Sequence, residues 1–398
     1  MKRKFSVIFI LCTFLISVSF LFGSAKKSKV LALDNNVLVE DNFQTKSIYL
    51  VDYNSNTVIF KKKEKDKRPI ASLCIIMTLI LGFDFIKENN LSFEDKIIVS
   101  KTASGMGGSQ VFLEENGEYK LDDIFKSIVV ASANDACVAL ADKVCGSEDD
   151  FVAKMNEKAS ELGMDDTNFV NCTGLPKTGQ YSTAKDVSIM FRELIKHKEY
   201  FNYSTIWTDE ISHPKDRKTS ISNTNKLVRF FEGCDSGKTG YTSEAGHCLA
   251  SSAVRNGMRI ISVFISSTDS KTRFKEVSHL YNYTFKNYTN KLIVGNENPL
   301  EFSVVVKGGK KDSLRVIPEK PIYLFGKIGD KKVVDIDVKI FEGLKAPISK
   351  GDIVGEIQVF ENGNKIASSK ILSYEDILSV NYFDSILKVI KNMQLVKF

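Results

Sequence analysis

The stretch Ala71-Ser72-Leu73-Cys74-Ile75 opens an apolar run that extends to Phe85. The run is too long for a typical strand, and its length favours a buried helix with Ser72 at its start. Two short apolar segments, residues 48–51 and 58–60, precede it and are separated by turn-forming residues, which predicts a pair of strands. A serine is therefore expected where strands give way to a central helix.

Two further motifs lie in settings that suit a shared site. Ser132-Ala133-Asn134 interrupts a helical pattern that covers residues 122–144. Lys238-Thr239-Gly240 precedes two apolar runs joined by Asn256-Gly257, and this dipeptide is the strongest short signal of a β-hairpin. We therefore expect the lysine motif on or beside a strand of that hairpin. Each motif alone is weak, but their order and structural setting strengthen the set.

The chemistry of these residue types fits acyl transfer, with one exception. A serine hydroxyl is a poor nucleophile at neutral pH and needs a nearby base, which the residue three positions later on a helix can supply. That position is Ile75, which can neither take nor donate a proton. Ser132 can relay a proton, and Asn134 can hold a polar network and a substrate amide.

The lysine motif is suited to binding the end of a peptide. Lys238 and Thr239 offer a cation and a hydroxyl to a terminal carboxylate, and a strand that carries them can pair with an extended peptide. The backbone N–H of Ser72 and one N–H from the hairpin strand can hold an oxyanion.

Composition and charge exclude several other classes. The chain has 398 residues, 43% hydrophobic content and a formal net charge of +6, which suits more than one folded domain. No nucleic-acid-binding motif accompanies the local basic run at residues 61–68, so we expect a solvated loop there and no nucleic-acid partner. The four histidines show no metal-ligand spacing, and neither a metal nor a cofactor is expected.

The N-terminus resembles a targeting segment. Lys2, Arg3 and Lys4 precede an uncharged apolar run at residues 5–22, and small residues follow. This pattern predicts a signal peptide within residues 1–32. An uncleaved membrane anchor is the alternative, and both place the rest of the chain outside the cytoplasm. One of the seven cysteines, Cys12, lies in this segment. The other six are scattered, which favours buried free thiols, although one disulfide is left open.

The element pattern divides the chain into regions. Residues 34–290 are expected to form an α/β domain in which helices flank an antiparallel sheet. Short strands with regular turns over residues 291–372 predict a small β-sandwich domain. Residues 373–398 show helical spacing with interspersed lysines. This pattern predicts an amphipathic helix, which either lies on an anionic membrane surface or packs on the β domain.

Together the motifs resemble those of low-molecular-mass penicillin-binding proteins, specifically D-alanyl-D-alanine carboxypeptidases of spore-forming Gram-positive bacteria. The resemblance covers nearly the whole chain after residue 32. It includes the following matching stretches: Arg68-Pro69-Ile70-Ala71-Ser72-Leu73, Gly107-Gly108-Ser109-Gln110, Ala131-Ser132-Ala133-Asn134-Asp135-Ala136, Asn223-Thr224-Asn225-Lys226-Leu227 and Gly233-Cys234-Asp235-Ser236-Gly237-Lys238-Thr239-Gly240-Tyr241-Thr242.

The resemblance implies a penicillin-binding-protein and β-lactamase-like transpeptidase domain. Ser72 would be the acyl-ester nucleophile, Ser132 and Asn134 the second catalytic motif, and Lys238, Thr239 and Gly240 the substrate-binding motif. The substrate would be a peptidoglycan stem peptide that ends in D-Ala-D-Ala, and β-lactams would acylate the same serine. The location would be the outer face of the cell membrane or the cell wall.

Ile75 stands where this family has its lysine, and several hypotheses follow. The chain is an impaired enzyme in which Lys238 and Ser132 partly replace the base, or a pseudoenzyme that binds D-alanyl peptide ends or a wall partner. A structural role with a relic site is a third hypothesis. A secreted β-lactamase is a distant one, since the carboxylates it would need, at Glu148, Glu157 or Glu161, show no convincing loop pattern.

Overall fold

The computed structural model describes residues 38–382 and residue 386. The predicted signal peptide and most of the predicted C-terminal helix lie outside these residues. The strands are β1 (Ser47–Asp52), β2 (Val58–Lys62), β3 (Lys96–Ile98), β4 (Glu118–Lys120), β5 (Thr208–Ser212), β6 (Lys218–Ser222), β7 (Cys234–Thr242), β8 (Gly246–Arg255), β9 (Met258–Ser267), β10 (Tyr288–Val294), β11 (Ser303–Val305), β12 (Ser313–Pro318), β13 (Ile322–Lys327), β14 (Val334–Ile340), β15 (Ile353–Glu361) and β16 (Asn364–Ser373). The α-helices are α1 (Ile75–Glu88), α2 (Lys101–Ser104), α3 (Leu121–Ala131), α4 (Asn134–Cys145), α5 (Glu148–Glu161), α6 (Ala184–Leu194), α7 (Phe201–Ser204), α8 (Leu227–Phe230) and α9 (Ser270–Asn287).

The first domain is built on a five-stranded antiparallel sheet with the order β2-β1-β9-β8-β7. The predicted hairpin is confirmed: Asn256 and Gly257 form the turn between β8 and β9 with φ angles of 50° and 74°. Strand β7, which carries the lysine motif, is an edge strand. Within the described residues, its outer side pairs with no other strand.

Alternating side chains divide the core of this domain between the two faces of the sheet. Ile261 and Val263 of β9 join the larger cluster, which packs against α1, α3, α4 and α6. Ile260 and Phe264 of the same strand join a second cluster that α9 covers. This alternation follows from the two-residue period of a strand, and it confirms the predicted sheet flanked by helices.

Helix α1 is the central helix of the larger cluster. A 3-10 turn, Ala71–Cys74, leads directly into it, and the helix is buried over residues 75–83. The apolar run lacks a polar stripe, and such a helix is stable only when it is covered on all sides. The turn that carries Ser72 is therefore anchored by one of the most deeply packed helices of the domain.

The helical pattern over residues 122–144 is split into α3 and α4, as predicted. Ser132 ends α3 in the left-handed conformation (φ 59°, ψ 38°), and Ala133 is extended before α4 begins at Asn134. Residues other than glycine seldom adopt such a conformation, and exceptions cluster at functional sites.

The second domain is an all-β unit. Its five-stranded sheet has the order β11-β12-β16-β15-β14, and β10 pairs with β13 in a separate ribbon. Apolar residues of both sheets form its core, which includes Val294, Leu314, Val316 and Val359. The predicted boundary at residues 290 and 291 falls inside β10.

The C-terminal helix does not begin where the sequence predicted it. Strand β16 runs to Ser373, and residues 374–381 are not helical. Ile377 pairs with Ile348 and Ser379 with Gly309 in isolated β-bridges, and Ile377 is buried in the β-domain core. Burial of Ile377 against the sheet therefore outweighs the helical spacing of this stretch. None of the helices in the described part of the chain has the length and apolar content needed to cross a bilayer.

Candidate active site

Ser72 lies in the 3-10 turn before α1 and is partly exposed. Its hydroxyl makes no hydrogen bond with any residue that the structure describes. The turn is held by backbone contacts, including a hydrogen bond from the Leu73 N–H to the Ile70 carbonyl (3.1 Å). The serine therefore has a fixed backbone and a hydroxyl that is free to turn.

Two glycines from distant segments press against this turn. A Cβ at Gly174 would lie 2.1 Å from the Ala71 carbonyl oxygen and 2.8 Å from the Ser72 nitrogen. A Cβ at Gly240, on β7, would lie 3.0 Å from the Ser72 nitrogen. The third residue of the lysine motif is thus a glycine because the strand passes directly against the serine turn.

Ile75 begins α1 and is fully buried (0% exposed) within the larger hydrophobic cluster. The neighbouring Cys74 is also buried, and its thiol donates to the Asn171 carbonyl (3.4 Å). The position three residues after Ser72 is therefore an apolar, closely packed one.

Lys238 and Ser132 form a buried pair beneath β7. The Lys238 Nζ lies 2.5 Å from the Ser132 Oγ and donates to the Thr239 carbonyl at 2.9 Å. Lys238 is 1% exposed and Ser132 is 4% exposed. No carboxylate among the described residues forms an ion pair with Lys238. The structure thus brings together the second and third motifs, with Thr239 and Gly240 following on the same strand.

The surroundings of Lys238 make its ammonium easier to deprotonate than that of an exposed lysine. Burial, with the Arg273 guanidinium acting in the same direction, lowers its pKa to about 8. The neighbouring Cys137 and Cys74 thiols would oppose this shift only as thiolates, and burial raises the pKa of both, so they stay uncharged.

Asn134 and Asp135 anchor the loop over residues 105–113. The Asn134 side chain donates to the Gly107 carbonyl (2.8 Å), and its backbone N–H donates to the Ser109 carbonyl (2.7 Å). The Asp135 carboxylate accepts from the N–H groups of Val111 (3.1 Å) and Leu113 (3.0 Å). In this structure Asn134 thus holds the loop beside Ser132.

Sequence reasoning gave no role to Gly174, Asp135 or Arg273. Arg273 is 5% exposed, and its guanidinium donates to the Cys248 carbonyl (2.7 Å) and the Gly240 carbonyl (3.4 Å), behind the lysine motif. The Asp135 carboxylate near the first turn of a helix was a usable signal. Nothing in the sequence near Gly174 or Arg273 indicates where these residues pack.

The carboxylates considered for a β-lactamase do not form a hydrolytic arrangement. Glu148 accepts from the Cys172 N–H (3.0 Å), whereas Glu157 and Glu161 are exposed on α5. All six cysteines in the described part of the chain are free, as the sequence favoured. Across the same residues, no group of three or more histidine, cysteine or acidic side chains could hold a metal ion.

The arrangement provides the elements of acyl transfer to an extended peptide. The serine turn packs against β7, whose outer edge pairs with no other strand in the described part of the chain, and a strand edge of this kind can pair with an extended peptide. A buried cation lies beneath the same strand, where a peptide carboxylate can neutralise it. The side chain of Ile75, three residues after Ser72, has no group that can accept a proton.

Comparisons with known proteins agree with this geometry. The D-alanyl-D-alanine carboxypeptidase family model matches residues 34–269, and the model of the C-terminal domain of penicillin-binding protein 5 matches residues 288–379. The D-alanyl-D-alanine carboxypeptidase DacF of Bacillus subtilis (strain 168) is 35% identical over 341 residues, which cover 85% of this chain and 87% of the relative. The carboxypeptidase DacC of Escherichia coli (strain K12) is 30% identical over 342 residues, which cover 84% of each protein.

A solved structure shares the fold. Penicillin-binding protein 5 from Haemophilus influenzae superposes with a TM-score of 0.68 at 26% identity, over 86% of this chain and all of that one. The penicillin-binding fold that the motifs predicted, an α/β domain with an antiparallel sheet and a following β domain, is confirmed.

Proposed function

Because this chain belongs to the peptidoglycan-processing D-alanyl-D-alanine carboxypeptidase family, we propose that it binds peptidoglycan stem peptides ending in D-Ala-D-Ala and forms an acyl ester on Ser72. The observation that carries the proposal is the meeting of the Ser72 turn, the Ser132–Lys238 pair and the open edge of β7.

The proposed reaction assigns each motif a task. The peptide lies along β7, and the Lys238 and Thr239 positions hold its terminal carboxylate. The Ser72 hydroxyl attacks the penultimate D-Ala carbonyl, whose developing oxyanion accepts hydrogen bonds from the Ser72 N–H and an N–H of the hairpin strand. The terminal D-Ala leaves, and water hydrolyses the ester. β-Lactams would acylate the same hydroxyl.

Ile75 makes this a slow enzyme in our proposal. Loss of a general base costs about 10² to 10⁴ in rate, while the nucleophile and carboxylate site remain. Binding of D-alanyl peptide ends without turnover is the second candidate function, and the complete burial of Ile75 in the apolar core favours it. The N-terminal signal pattern supports action outside the cytoplasm.

Labelled penicillin tests the proposal directly. The purified chain without residues 1–32 is incubated with the label, and Ser72 acylation is followed by mass spectrometry. Release of D-alanine from a peptide ending in D-Ala-D-Ala is measured in parallel. We expect slow acylation of the natural chain, loss of the adduct with Ser72→Ala, and an acylation rate about 10²- to 10⁴-fold higher with Ile75→Lys. Ile75→Met is the matched control, since methionine resembles lysine in its unbranched shape but has no amine.

The outcomes separate the two candidate functions. Calorimetric binding of the D-Ala-D-Ala peptide without any Ser72 adduct would favour the binding function. Fast and complete acylation of the natural chain would contradict impairment, and neither binding nor acylation in any variant would refute both functions.

A further inference from the structure

The Lys238 amine is joined directly to the Ser132 hydroxyl. Its Nζ lies 2.5 Å from the Ser132 Oγ and 2.9 Å from the Thr239 carbonyl. The neutral amine can donate to the carbonyl and accept the Ser132 O–H, so both contacts persist when the ammonium loses a proton. A buried charge that no described carboxylate balances is costly, which makes that proton easier to remove.

The groups that face Lys238 come from three elements. Cys137 approaches from α4, Cys74 from the 3-10 turn and Arg273 from α9. Both thiols are held neutral by burial, and Arg273 is a cation. With a pKa of about 8, roughly a tenth of the Lys238 side chains carry a free electron pair at pH 7.

The Lys238–Ser132 pair lies on the same face of β7 as the turn that carries Ser72. Lys238 and Gly240 are two residues apart, so they share a face of the strand about 7 Å apart. The Gly240 position is where β7 meets the Ser72 nitrogen. Ser132 is fixed by its left-handed backbone and by the hydrogen bond from the Ala133 N–H to the Ser127 carbonyl (3.2 Å).

We propose that Lys238, acting through Ser132, is the proton acceptor for Ser72 in this chain and takes over the task that Ile75 cannot perform. The inference rests on the proposed acyl-serine function and assigns a second catalytic role to a residue already placed at the carboxylate site.

In the proposed path, protons move from Ser72 through Ser132 to Lys238 and later return through Ser132. As the Ser72 oxygen forms its bond to the carbonyl carbon, its proton passes to the Ser132 oxygen, and the Ser132 proton passes to the Lys238 nitrogen. The carbonyl electron pair moves to the oxyanion. When the oxyanion collapses, the C–N bond breaks, and the ammonium returns a proton through Ser132 to the leaving nitrogen.

The two roles of Lys238 respond to pH in opposite ways. The neutral amine accepts a proton, whereas the ammonium attracts the substrate carboxylate. As the pH rises through about 8, the acylation rate constant should rise while the affinity for the carboxylate falls. A lysine with a purely structural or binding role would not produce this split.

A double-mutant cycle tests the assignment. Acylation of Ser72 by labelled penicillin is measured from pH 6 to 10 for the natural chain, Lys238→Arg, Ile75→Lys and the double variant. Arginine keeps a cation for the carboxylate and does not accept a proton at these pH values. We expect Lys238→Arg to lower the acylation rate by a factor of about 10² or more in the natural chain. In the Ile75→Lys background the same substitution should lower the rate much less.

Equal losses in the two backgrounds would overturn the inference, because they indicate a carboxylate-binding role alone. Acylation by Ile75→Lys together with none by the natural chain at any pH would also overturn it, while leaving the proposed function intact. Absence of acylation in every variant would refute the proposed function as well. Circular dichroism confirms folding of each variant. If Lys238→Arg does not fold, added ethylamine must restore acylation to Lys238→Ala, and failure of this rescue counts against the inference.

Discussion

Replacing Gly174 with alanine should damage the site far more than the fold. Gly174 has a φ of +82°, where a side chain costs about 1 to 2 kcal/mol. The added Cβ would also lie 2.1 Å from the Ala71 carbonyl oxygen, which is backbone and cannot rotate away. The two segments must separate by roughly 1 Å to restore an ordinary contact, and such overpacking typically adds 1 to 3 kcal/mol.

Gly163 provides a matched control. Its φ is +72°, but a Cβ there would meet no atom within 4 Å. Gly163→Ala should therefore show the conformational penalty of about 1 to 2 kcal/mol alone. The difference between the two variants isolates the contact with the serine turn.

Urea unfolding and Ser72 acylation measure the two effects separately. Gly174→Ala should unfold at lower urea than Gly163→Ala and should acylate about 10²-fold more slowly, since a displacement of about 1 Å near reacting atoms has that effect. Gly163→Ala should acylate like the natural chain. If both variants unfold and acylate alike, Gly174 does not position Ser72 and the reasoning fails.

Three other predictions concern separate parts of the molecule. Asp135→Asn should loosen the loop over residues 105–113, because the carboxylate holds two of its N–H groups; hydrogen exchange at Leu113 should rise, and unchanged exchange would contradict the assigned role. Asp269 accepts a hydrogen bond from the Thr272 hydroxyl and caps α9 by accepting from the Thr272 N–H. These hydrogen bonds lower its pKa to about 2, so its stabilising effect is present above about pH 4 and is lost as the pH falls toward 2. Asp269→Ala should therefore destabilise by about 1 kcal/mol at pH 7 and hardly at all at pH 2 in thermal melts, with Asp269→Asn retaining most of the cap. In the native protein, iodoacetamide should modify Cys145 and leave the five buried thiols untouched until urea is added, and early labelling of a buried thiol would contradict the packing.

Local patterns predicted the elements that carry the motifs. The apolar run after Ala71 specified a buried helix because no polar face was available to point to water. Asn256-Gly257 specified a hairpin because both residues accept positive φ. The small polar residues at 132–134 marked the break between α3 and α4, although nothing local required Ser132 to be left-handed.

Contacts between distant segments were not predictable in the same way. Gly174 touches the Ser72 turn from about a hundred residues away, and Arg273 reaches the lysine strand from a later helix. These contacts depend on tertiary packing, which periodicity does not encode. For the stretch after Ser373, the local pattern was misleading. Its helical spacing predicted a helix, whereas Ile377 pairs with Ile348 in a β-bridge.

The open edge of β7 has a consequence for the behaviour of the protein in solution. An edge strand can accept an extended segment, including the strand of another molecule, and proteins usually protect such edges with exposed charge. Side chains already cap part of β7, since Ser204, Tyr200 and Lys238 donate to the carbonyls of Asp235, Gly237 and Thr239. Here the lysine of the strand is buried, and the exposed side chain beside the motif is Tyr241, which is 60% exposed. The uncapped end of the strand, which we propose admits a peptide, is thus also a place where the strand of another molecule can pair, and an occupied site would shield it.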